Sequence, residues 1–486
     1  MQFSSYIFIL LFLPLCLSGY FLLGKAAKYE AAKIWLLVMS FWFYGYMNWA
    51  CLIFLAGSIL VNYGLVYLMK NQKTQQYGKQ ILILALTFDL GLLFVFKYYN
   101  FFIDNVNHLA GAGLPMLNII LPIGLSFITF QQISFVVDSY KDSAIGYSFI
   151  DYALYVAFFP KISSGPITPF PELTTQLQSE ERKKIDYDNL ARGLYQFAMG
   201  LAKKVLIADT LAQFVSIGFS DINNLHTISA LAVMLCYSLQ LYYDFSGYSD
   251  MAIGIARMLN IELPVNFNSP YKAKSISDFW KRWHITLTGF LTKYVYIPLG
   301  GSRKGLRRTC INIMIVFLIS GLWHGANWTF IVWGFMHGIL MVVERITEKK
   351  IERIPVLGRV FTFIFVNAAW VIFRADTISE AFIFWGRIFQ PGMGEMENNL
   401  IQAVNEIVEI RILCRFGFQG VVDKFSYLPT VLLGAIILLI TFMAKNAQEK
   451  TERFCFSKKQ AAITVLLMFW SIISLSGVSV FLYSNF

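Results

Sequence analysis

Residues 309–343 read TCINIMIVFLISGLWHGANWTFIVWGFMHGILMVV, without a single Asp, Glu, Lys or Arg. A helix needs about 20 predominantly apolar residues to cross the hydrocarbon core of a bilayer. The run is long enough for a hairpin of two membrane-spanning helices, and the uncharged run Ile34–Met69 predicts a second hairpin. This part of the chain therefore predicts an all-α membrane protein.

Shorter apolar runs extend the pattern along the chain. Each is long enough for one span, and the weaker ones carry one or two charges. Together with the two hairpins they predict a polytopic bundle of about 10–12 transmembrane helices. The uncharged runs are Ser4–Gly24, Thr227–Tyr243, Phe425–Ala444 and Gln460–Phe486, and the weaker runs are Gln80–Phe96, Asn105–Asp138, Ser143–Pro160 and Ile354–Arg374.

Composition agrees with a membrane protein. Of the 486 residues 57% are apolar and only 14% are charged, against about 25% charged in soluble domains. These values exclude a soluble globular enzyme and a disordered chain. The net charge of +11 indicates cytoplasmic loops rich in Lys and Arg. No basic soluble domain suited to nucleic acid is visible, so the expected surroundings are the lipid bilayer.

Charge placement predicts the topology. No Lys or Arg precedes the first apolar run, so it predicts a span rather than a removable leader. Lys25, Lys28 and Lys33 follow that run and indicate a cytoplasmic first loop. We therefore expect the N-terminus outside the cytoplasm, and counting onward predicts an extracytoplasmic C-terminus.

Two segments interrupt the regular pattern. Phe158–Pro171 reads FFPKISSGPITPFP, and its four prolines and one glycine preclude a continuous helix. It predicts a re-entrant segment or, alternatively, an interfacial loop. Residues 271–308 hold nine basic residues and one acid. This basic segment faces the cytoplasm, either through the positive-inside rule alone or as a docking site for an anionic donor.

We expect one membrane domain over residues 1–486. Residues 1–140 form N-terminal helices, and residues 141–390 form a catalytic core that includes the basic segment. Residues 391–486 combine a polar insert, predicted to be external, with the C-terminal spans.

Histidines are the strongest candidates for chemistry. His324 lies within an uncharged run, and ionisable groups at membrane depth usually line a functional cavity. It could act as a general base, or it could be a hydrogen-bonded core residue. His284 ends the aromatic, basic stretch FWKRWH. His337 lies 13 residues after His324, and at about 100° per residue it faces away from His324, which predicts a structural role.

Acidic candidates are Asp244 and Asp250, in YYDFSGYSD directly after an apolar run. They could pair with a histidine or arginine, or form structural ion pairs. No cysteine pair has metal-type spacing, and no metal site is predicted. The motifs of serine hydrolases, zinc proteases and nucleotide-binding proteins are missing, which argues against those classes.

One long block carries a family resemblance. It reads DFSGYSDMAIGIARMLNIELPVNFNSPYKAKSISDFWKRWHITLTGFLTKYVYIPLGGSRKG from Asp244, followed by SGLWHGANWTFIVWGFMHG. With FFPKISSGPI upstream and VIFRAD and the terminal FLYSNF downstream, it resembles the membrane-bound O-acyltransferase family, in particular the alginate O-acetylation branch. The resemblance covers most of the chain.

The resemblance implies a helical bundle with a tunnel between its two faces. It implies His324 as the catalytic histidine and His284 as the second family histidine. His324 would accept the proton of the attacking hydroxyl, and His284 would position the donor or share the proton. Asn327 is an oxyanion-hole candidate only by nearness in sequence. The full set of substrate or tunnel candidates is Asp244, Asp250, Trp323, Asn327 and Trp283.

The same resemblance implies the reaction. No bound cofactor is expected. A cytoplasmic acyl thioester, acetyl-CoA or an acyl carrier protein, would supply acetyl groups across the bacterial plasma membrane. An extracytoplasmic acetyltransferase partner would pass them to a cell-surface polysaccharide such as alginate, another exopolysaccharide or peptidoglycan. Alternatives are D-alanyl transfer toward teichoic acid, transport of a polysaccharide precursor, and a scaffold for a secretion complex.

Overall fold

The structure is a computed structural model that describes residues 1–46, 48–141, 147–347 and 354–475. Regular structure in these ranges is helical, without a β-strand. Seven of their helical segments are long and apolar enough to cross a membrane, or eight if one bent pair counts as a single span. The protein is therefore a polytopic helical membrane protein. The C-terminal stretch FLYSNF lies outside the described residues.

The number of long spans is lower than the 10–12 helices expected. Three further helices, Tyr29–Gly45, Leu125–Lys141 and Lys458–Ile473, have 16 or 17 residues each. A typical span requires about 17–25 residues, so these three helices lie at the lower limit of that range or just below it.

The first predicted hairpin is confirmed. Asn48 breaks the uncharged run 34–69 because its side chain accepts a hydrogen bond from the backbone N–H of Ala50 and so caps the second helix. The run Asn105–Asp138 is not one helix, because Gly111 ends a helix with φ +60°. The N-terminal helices are α1 (Leu13–Lys25), α2 (Tyr29–Gly45), α3 (Trp49–Lys70), α4 (Gly78–Leu93), α5 (Tyr99–Ala110) and α6 (Leu125–Lys141).

The middle of the chain contains the longest α-helix of the described residues. Residues 158–169 are not helical, as their prolines predict, and nearly all of them are buried. Irregular backbone at membrane depth is tolerated where protein covers it. The helices here are α7 (Phe149–Ala157), α8 (Phe170–Gln178), α9 (Tyr187–Ala202), α10 (Asp209–Ser220), α11 (Thr227–Met258), α12 (Ile276–Trp280) and α13 (Ile285–Leu291).

The second predicted hairpin is confirmed as α14 and α15. The two helices pack closely through Gly321 and Gly334, since a Cβ added at Gly321 would lie 2.3 Å from the carbonyl oxygen of Phe330. The remaining helices are α14 (Gly305–His324), α15 (Trp328–Ile346), α16 (Pro355–Arg374), α17 (Ile378–Ile388), α18 (Asn398–Asn405), α19 (Val408–Leu413), α20 (Gln419–Lys424), α21 (Leu428–Met443), α22 (Ala447–Glu452) and α23 (Lys458–Ile473).

Candidate active site

His324 is the last residue of α14, and its side chain is buried in the middle of the hairpin. The helix ends here because Gly325 adopts an extended conformation, with φ −167° and ψ 153°. The imidazole is surrounded by the rings of Trp323, Trp333 and Phe373, with centroid distances of 5.0, 5.1 and 5.2 Å. A helix terminus thus presents one imidazole inside an aromatic enclosure.

His284 lies in a strained turn immediately before α13. Its φ of +46° is in the left-handed region that non-glycine residues rarely adopt. Asn266 supports this turn: its carbonyl oxygen accepts the backbone N–H of Ile285 at 3.0 Å, and its Oδ1 accepts the Thr286 hydroxyl at 2.9 Å. Strain of this kind persists only where surrounding structure imposes it, and it often marks functional sites.

Asn266 also fixes the orientation of the His284 ring. Its Oδ1 lies 3.1 Å from His284 Nδ1 and accepts the backbone N–H of Thr286 at 3.3 Å. Because a backbone N–H can only donate, the Asn266 atom facing it is an oxygen, and His284 Nδ1 must carry the hydrogen of a neutral ring. His284 Nε2 is then an acceptor, buried and without a hydrogen-bond partner in the described residues. Sequence reasoning missed Asn266.

Trp323 lies between the two histidines. Its ring centroid is 5.9 Å from that of His284 and 5.0 Å from that of His324. Its indole Nε1–H is buried and has no acceptor within the described part of the chain. The structure therefore brings together three of the predicted site residues, His284, Trp323 and His324.

Lys97 and Tyr98 hold the end of α14, and sequence reasoning missed both. Lys97 Nζ donates to the carbonyl oxygen of Trp323 at 2.5 Å and to Ser126 Oγ at 3.0 Å, while Tyr98 Oη donates to the carbonyl oxygen of Leu322 at 2.9 Å. The last carbonyls of a helix lack partners within the helix. Residues from a π-helical stretch, Phe94–Tyr98, supply the donors here, and π-helical turns are frequent at functional sites.

A cavity of about 330 Å³ is lined by residues of the basic segment, α14 and α15. Lys281 and Arg345 contribute exposed cationic side chains to its wall, and the other walls combine apolar side chains with hydroxyl groups. Ser320, one helical turn before His324, also lines it. Size and lining are those of a small-molecule pocket.

Two predicted candidates lie in ion pairs away from the histidines. Asp244 contacts Lys204 at 2.6 Å, and Asp250 contacts Lys203 at 2.6 Å. Of the alternatives that the sequence left open, the structure shows structural ion pairs, formed with lysines of a second π-helical stretch, Lys203–Ala208.

The structure shows a structural role for Asn327. Its Oδ1 accepts the backbone N–H of Thr329 and so caps α15, while its Nδ2 donates to the carbonyl oxygen of Asp376 at 2.9 Å. Both ends of the amide therefore help to hold the turn after His324. The Nδ2 group has a second hydrogen, and the oxyanion role of Asn327 stays a prediction.

His337 does not lie on a continuation of the helix that carries His324, because the helix breaks between His324 and Asn327, so the predicted rotation is wrong. His337 shares a ring neighbour with His324: Trp333 lies 4.9 Å from one ring centroid and 5.1 Å from the other. Its Nδ1 accepts the indole N–H of Trp280 at 3.3 Å, as expected for a structural residue.

Trp283, the remaining candidate, belongs to the buried aromatic core. It is fully buried and contacts Trp370 at a centroid distance of 5.0 Å. Among the described residues, no group of three or more His, Cys, Asp or Glu side chains could hold a metal ion.

Comparisons with known proteins match the part of the chain that contains this site. The sequence model of MBOAT, the membrane-bound O-acyltransferase family, matches residues 37–378, which include Lys97, Asn266, His284 and His324. A peptidoglycan O-acetyltransferase of Helicobacter pylori is 38% identical, with 100% of this chain and 97% of that protein covered.

Two other relatives match smaller shares of this chain. A probable alginate O-acetylase, AlgI, of Pseudomonas putida is 39% identical over 81% of each chain. A teichoic acid D-alanyltransferase of Bacillus subtilis is 28% identical over 53% of this chain and 70% of its own. Family match and relatives together establish that this chain belongs to the membrane-bound O-acyltransferase family and is an O-acyltransferase.

Proposed function

We propose that the protein transfers acetyl groups from an acyl thioester for O-acetylation of a bacterial cell-surface polysaccharide, with His324 as the general base. The observation that carries this proposal is the buried contact of Trp323 with both His324 and His284. Ser320, one helical turn before His324, lines a cavity whose wall also carries Lys281 and Arg345. No soluble acyl-transfer motif offers an alternative in this sequence.

The reaction needs a base because an alcohol attacks a thioester slowly without one. His324 accepts the hydroxyl proton as the oxygen attacks the carbonyl carbon, a contribution of about 10²–10⁴-fold. The tetrahedral intermediate collapses, the carbon–sulfur bond breaks, and the departing thiolate recovers the proton from the imidazolium. The products are an acetyl ester and a free thiol.

Trp323 and His284 have complementary roles in this mechanism. The unpartnered indole N–H of Trp323 adjoins His324 and would donate to the oxyanion of the intermediate. Because Asn266 keeps the hydrogen on Nδ1 of His284, its Nε2 would accept a hydrogen bond from the donor substrate. Lys281 and Arg345 would attract the phosphates of coenzyme A or of a carrier's phosphopantetheine.

Peptidoglycan is the acceptor that we favour. The peptidoglycan relative aligns with the entire chain, including residues 391–486, whereas the alginate relative covers 81%. We expect the donor to approach from the cytoplasm, the chain to lie in the plasma membrane with both termini outside, and an extracytoplasmic acetyltransferase partner to complete the transfer.

Ester analysis of the cell envelope tests the proposal. Envelopes from cells lacking the gene and from complemented cells would be treated with mild base, and released acetate and D-alanine would be quantified. We expect complementation to restore acetate release from purified peptidoglycan. If complementation instead restores the release of D-alanine, the D-alanyl alternative replaces acetyl transfer. If it restores the release of neither acetate nor D-alanine, both alternatives are refuted.

A further inference from the structure

A second cavity shares no lining residue with the first and is lined by residues from the stretches 199–210, 242–269 and 407–470. Its volume is about 440 Å³, within the range of about 300–1,000 Å³ typical of ligand pockets. It forms a groove between the stretch 203–210 and α21, with residues of α23 at one end. It contains none of the residues of the candidate active site.

The groove is apolar over a defined length. Along α21 its lining residues recur three and four positions apart, so they form one stripe on one helix face. From the first to the last is eleven residues, or about 16 Å at 1.5 Å per residue. One leaflet of a bilayer contributes about half of a hydrocarbon core of about 30 Å. The stripe, Leu433, Ile436, Ile437, Ile440, Thr441 and Ala444, thus matches one acyl layer.

Positive charge is concentrated at one end of the groove. Lys445 and Lys450 line this end, both are exposed, and neither has an ion-pair partner in the described ranges. Lys203, also in the lining, is neutralised by Asp250 at 2.6 Å. The nearby acid, Glu449, accepts a hydrogen bond from Asn446 at 3.0 Å and makes no ion pair with Lys445 or Lys450 in the described residues. Both lysines therefore remain available for an anion.

The other end has a different chemistry. There Glu409 accepts the indole N–H of Trp470 at 2.8 Å, and an indole with one apolar and one polar edge suits a membrane interface. The cationic end contacts the beginning of the basic segment, since Lys272 Nζ donates to the carbonyl oxygen of Ala444 at 2.9 Å. The two unpaired lysines thus lie on the same side of the bundle as the basic segment.

We propose that this groove binds one anionic phospholipid, with an acyl chain along α21 and the phosphate between Lys445 and Lys450. Charge complementarity selects an anion, and the apolar length selects an acyl chain over a small soluble ligand. Anionic lipids attract basic residues at the membrane surface, and each Lys near that surface adds to the binding free energy. The proposal does not depend on the acyl-transfer reaction.

Lipid binding to the purified, delipidated full chain tests this site. Phosphatidylglycerol and phosphatidylcholine with identical acyl chains would be titrated in detergent, and bound lipid would be counted by native mass spectrometry. We expect preferential binding of phosphatidylglycerol by the natural protein. The double variant Lys445→Gln/Lys450→Gln should bind it roughly thirtyfold more weakly and lose the preference.

Two controls separate the alternatives. The variant Lys25→Gln/Lys28→Gln removes two exposed lysines elsewhere and should leave the preference intact. Ile440→Trp, which fills the groove, should weaken binding of both lipids. Equal binding of the two lipids by the natural protein, or an unchanged preference in the Lys445/Lys450 variant, would overturn the proposal. Displacement of phosphatidylglycerol by glycerol phosphate at equal ionic strength would reassign the groove to a free phosphate.

Discussion

Lys97 Nζ donates a 2.5 Å hydrogen bond to the carbonyl oxygen of Trp323, the residue that precedes His324. The two residues are 226 positions apart in sequence. The bond places a hydrogen-bond donor at the C-terminal end of α14, where the last carbonyl groups have no partner within the helix. A helix from the N-terminal part of the chain therefore positions the imidazole and indole that we assign to acyl transfer.

Replacing Lys97 should disturb that position without unfolding the protein. We expect Lys97→Met to lower kcat about 100-fold, because misplacement of a reacting group by about 1 Å has effects of this size, while KM for the donor changes little. Tyr98→Phe should give a smaller loss. Steady-state kinetics with an acetyl thioester checks this, and Lys79→Met, at an exposed lysine of α4, is the matched control. Equal kinetics in Lys97→Met and Lys79→Met would remove the positioning role.

The indole N–H of Trp323 can be tested apart from its ring. Trp323→Phe keeps an aromatic ring between the histidines but removes the buried donor. Loss of one oxyanion donor costs about 10²–10³ in kcat, and we expect a decrease of this order with an unchanged KM. Trp370→Phe, which removes a neighbouring buried indole N–H, provides the comparison. If both variants retain full kcat, the oxyanion is stabilised elsewhere.

The close packing of α14 on α15 predicts a stability effect. A Cβ added at Gly334 would lie 2.3 Å from the carbonyl oxygen of Phe317, whereas one added at Gly91 meets no atom within 4 Å. Gly334→Ala should therefore destabilise the protein by about 1–3 kcal/mol, and Gly91→Ala should be neutral or slightly stabilising. Thermal unfolding in detergent measures both. A melting temperature for Gly334→Ala equal to that of the natural protein would contradict the packing described here.

The two exposed cationic side chains that line the first cavity predict a selective effect on donor binding. Lys281→Gln/Arg345→Gln should raise KM for a phosphate-bearing thioester about tenfold and leave kcat nearly unchanged, because exposed charges contribute mainly to encounter and binding. The effect should shrink at high salt. A truncated thioester without phosphates supplies the control, since its KM should be equal in both proteins. A fall in kcat with an unchanged KM would place these residues in another role.

Local sequence signals predicted much of the membrane fold. The uncharged runs 34–69 and 309–343 form helical hairpins as expected, because length and apolarity decide spans. The prolines of 158–169 predicted a break in the helix, because a proline has no backbone N–H to donate. The orientation predicted for His337 was wrong because α14 ends at His324 and does not continue through Gly325. Asn327 stands directly before an apolar helix, so the N-cap signal could have revealed its role.

Residues brought together by tertiary structure could not be predicted in this way. Asn266 orients His284 from 18 residues away, and Lys97 reaches the end of α14 from an earlier helix. Within their own segments Asn266 resembles a loop residue and Lys97 a lone charge in a span. Periodicity and composition carry no information about such distant pairs.

The assignment of His324 as the base can be tested by measuring the O-acetyl content of the surface polymer in cells carrying His324→Ala, normalised to the amount of the protein in the membrane. We expect acetyl esters to disappear while the protein inserts at its normal level. Retained acetylation at that level would contradict the assignment of His324 as the base and would favour His284 or a transport role.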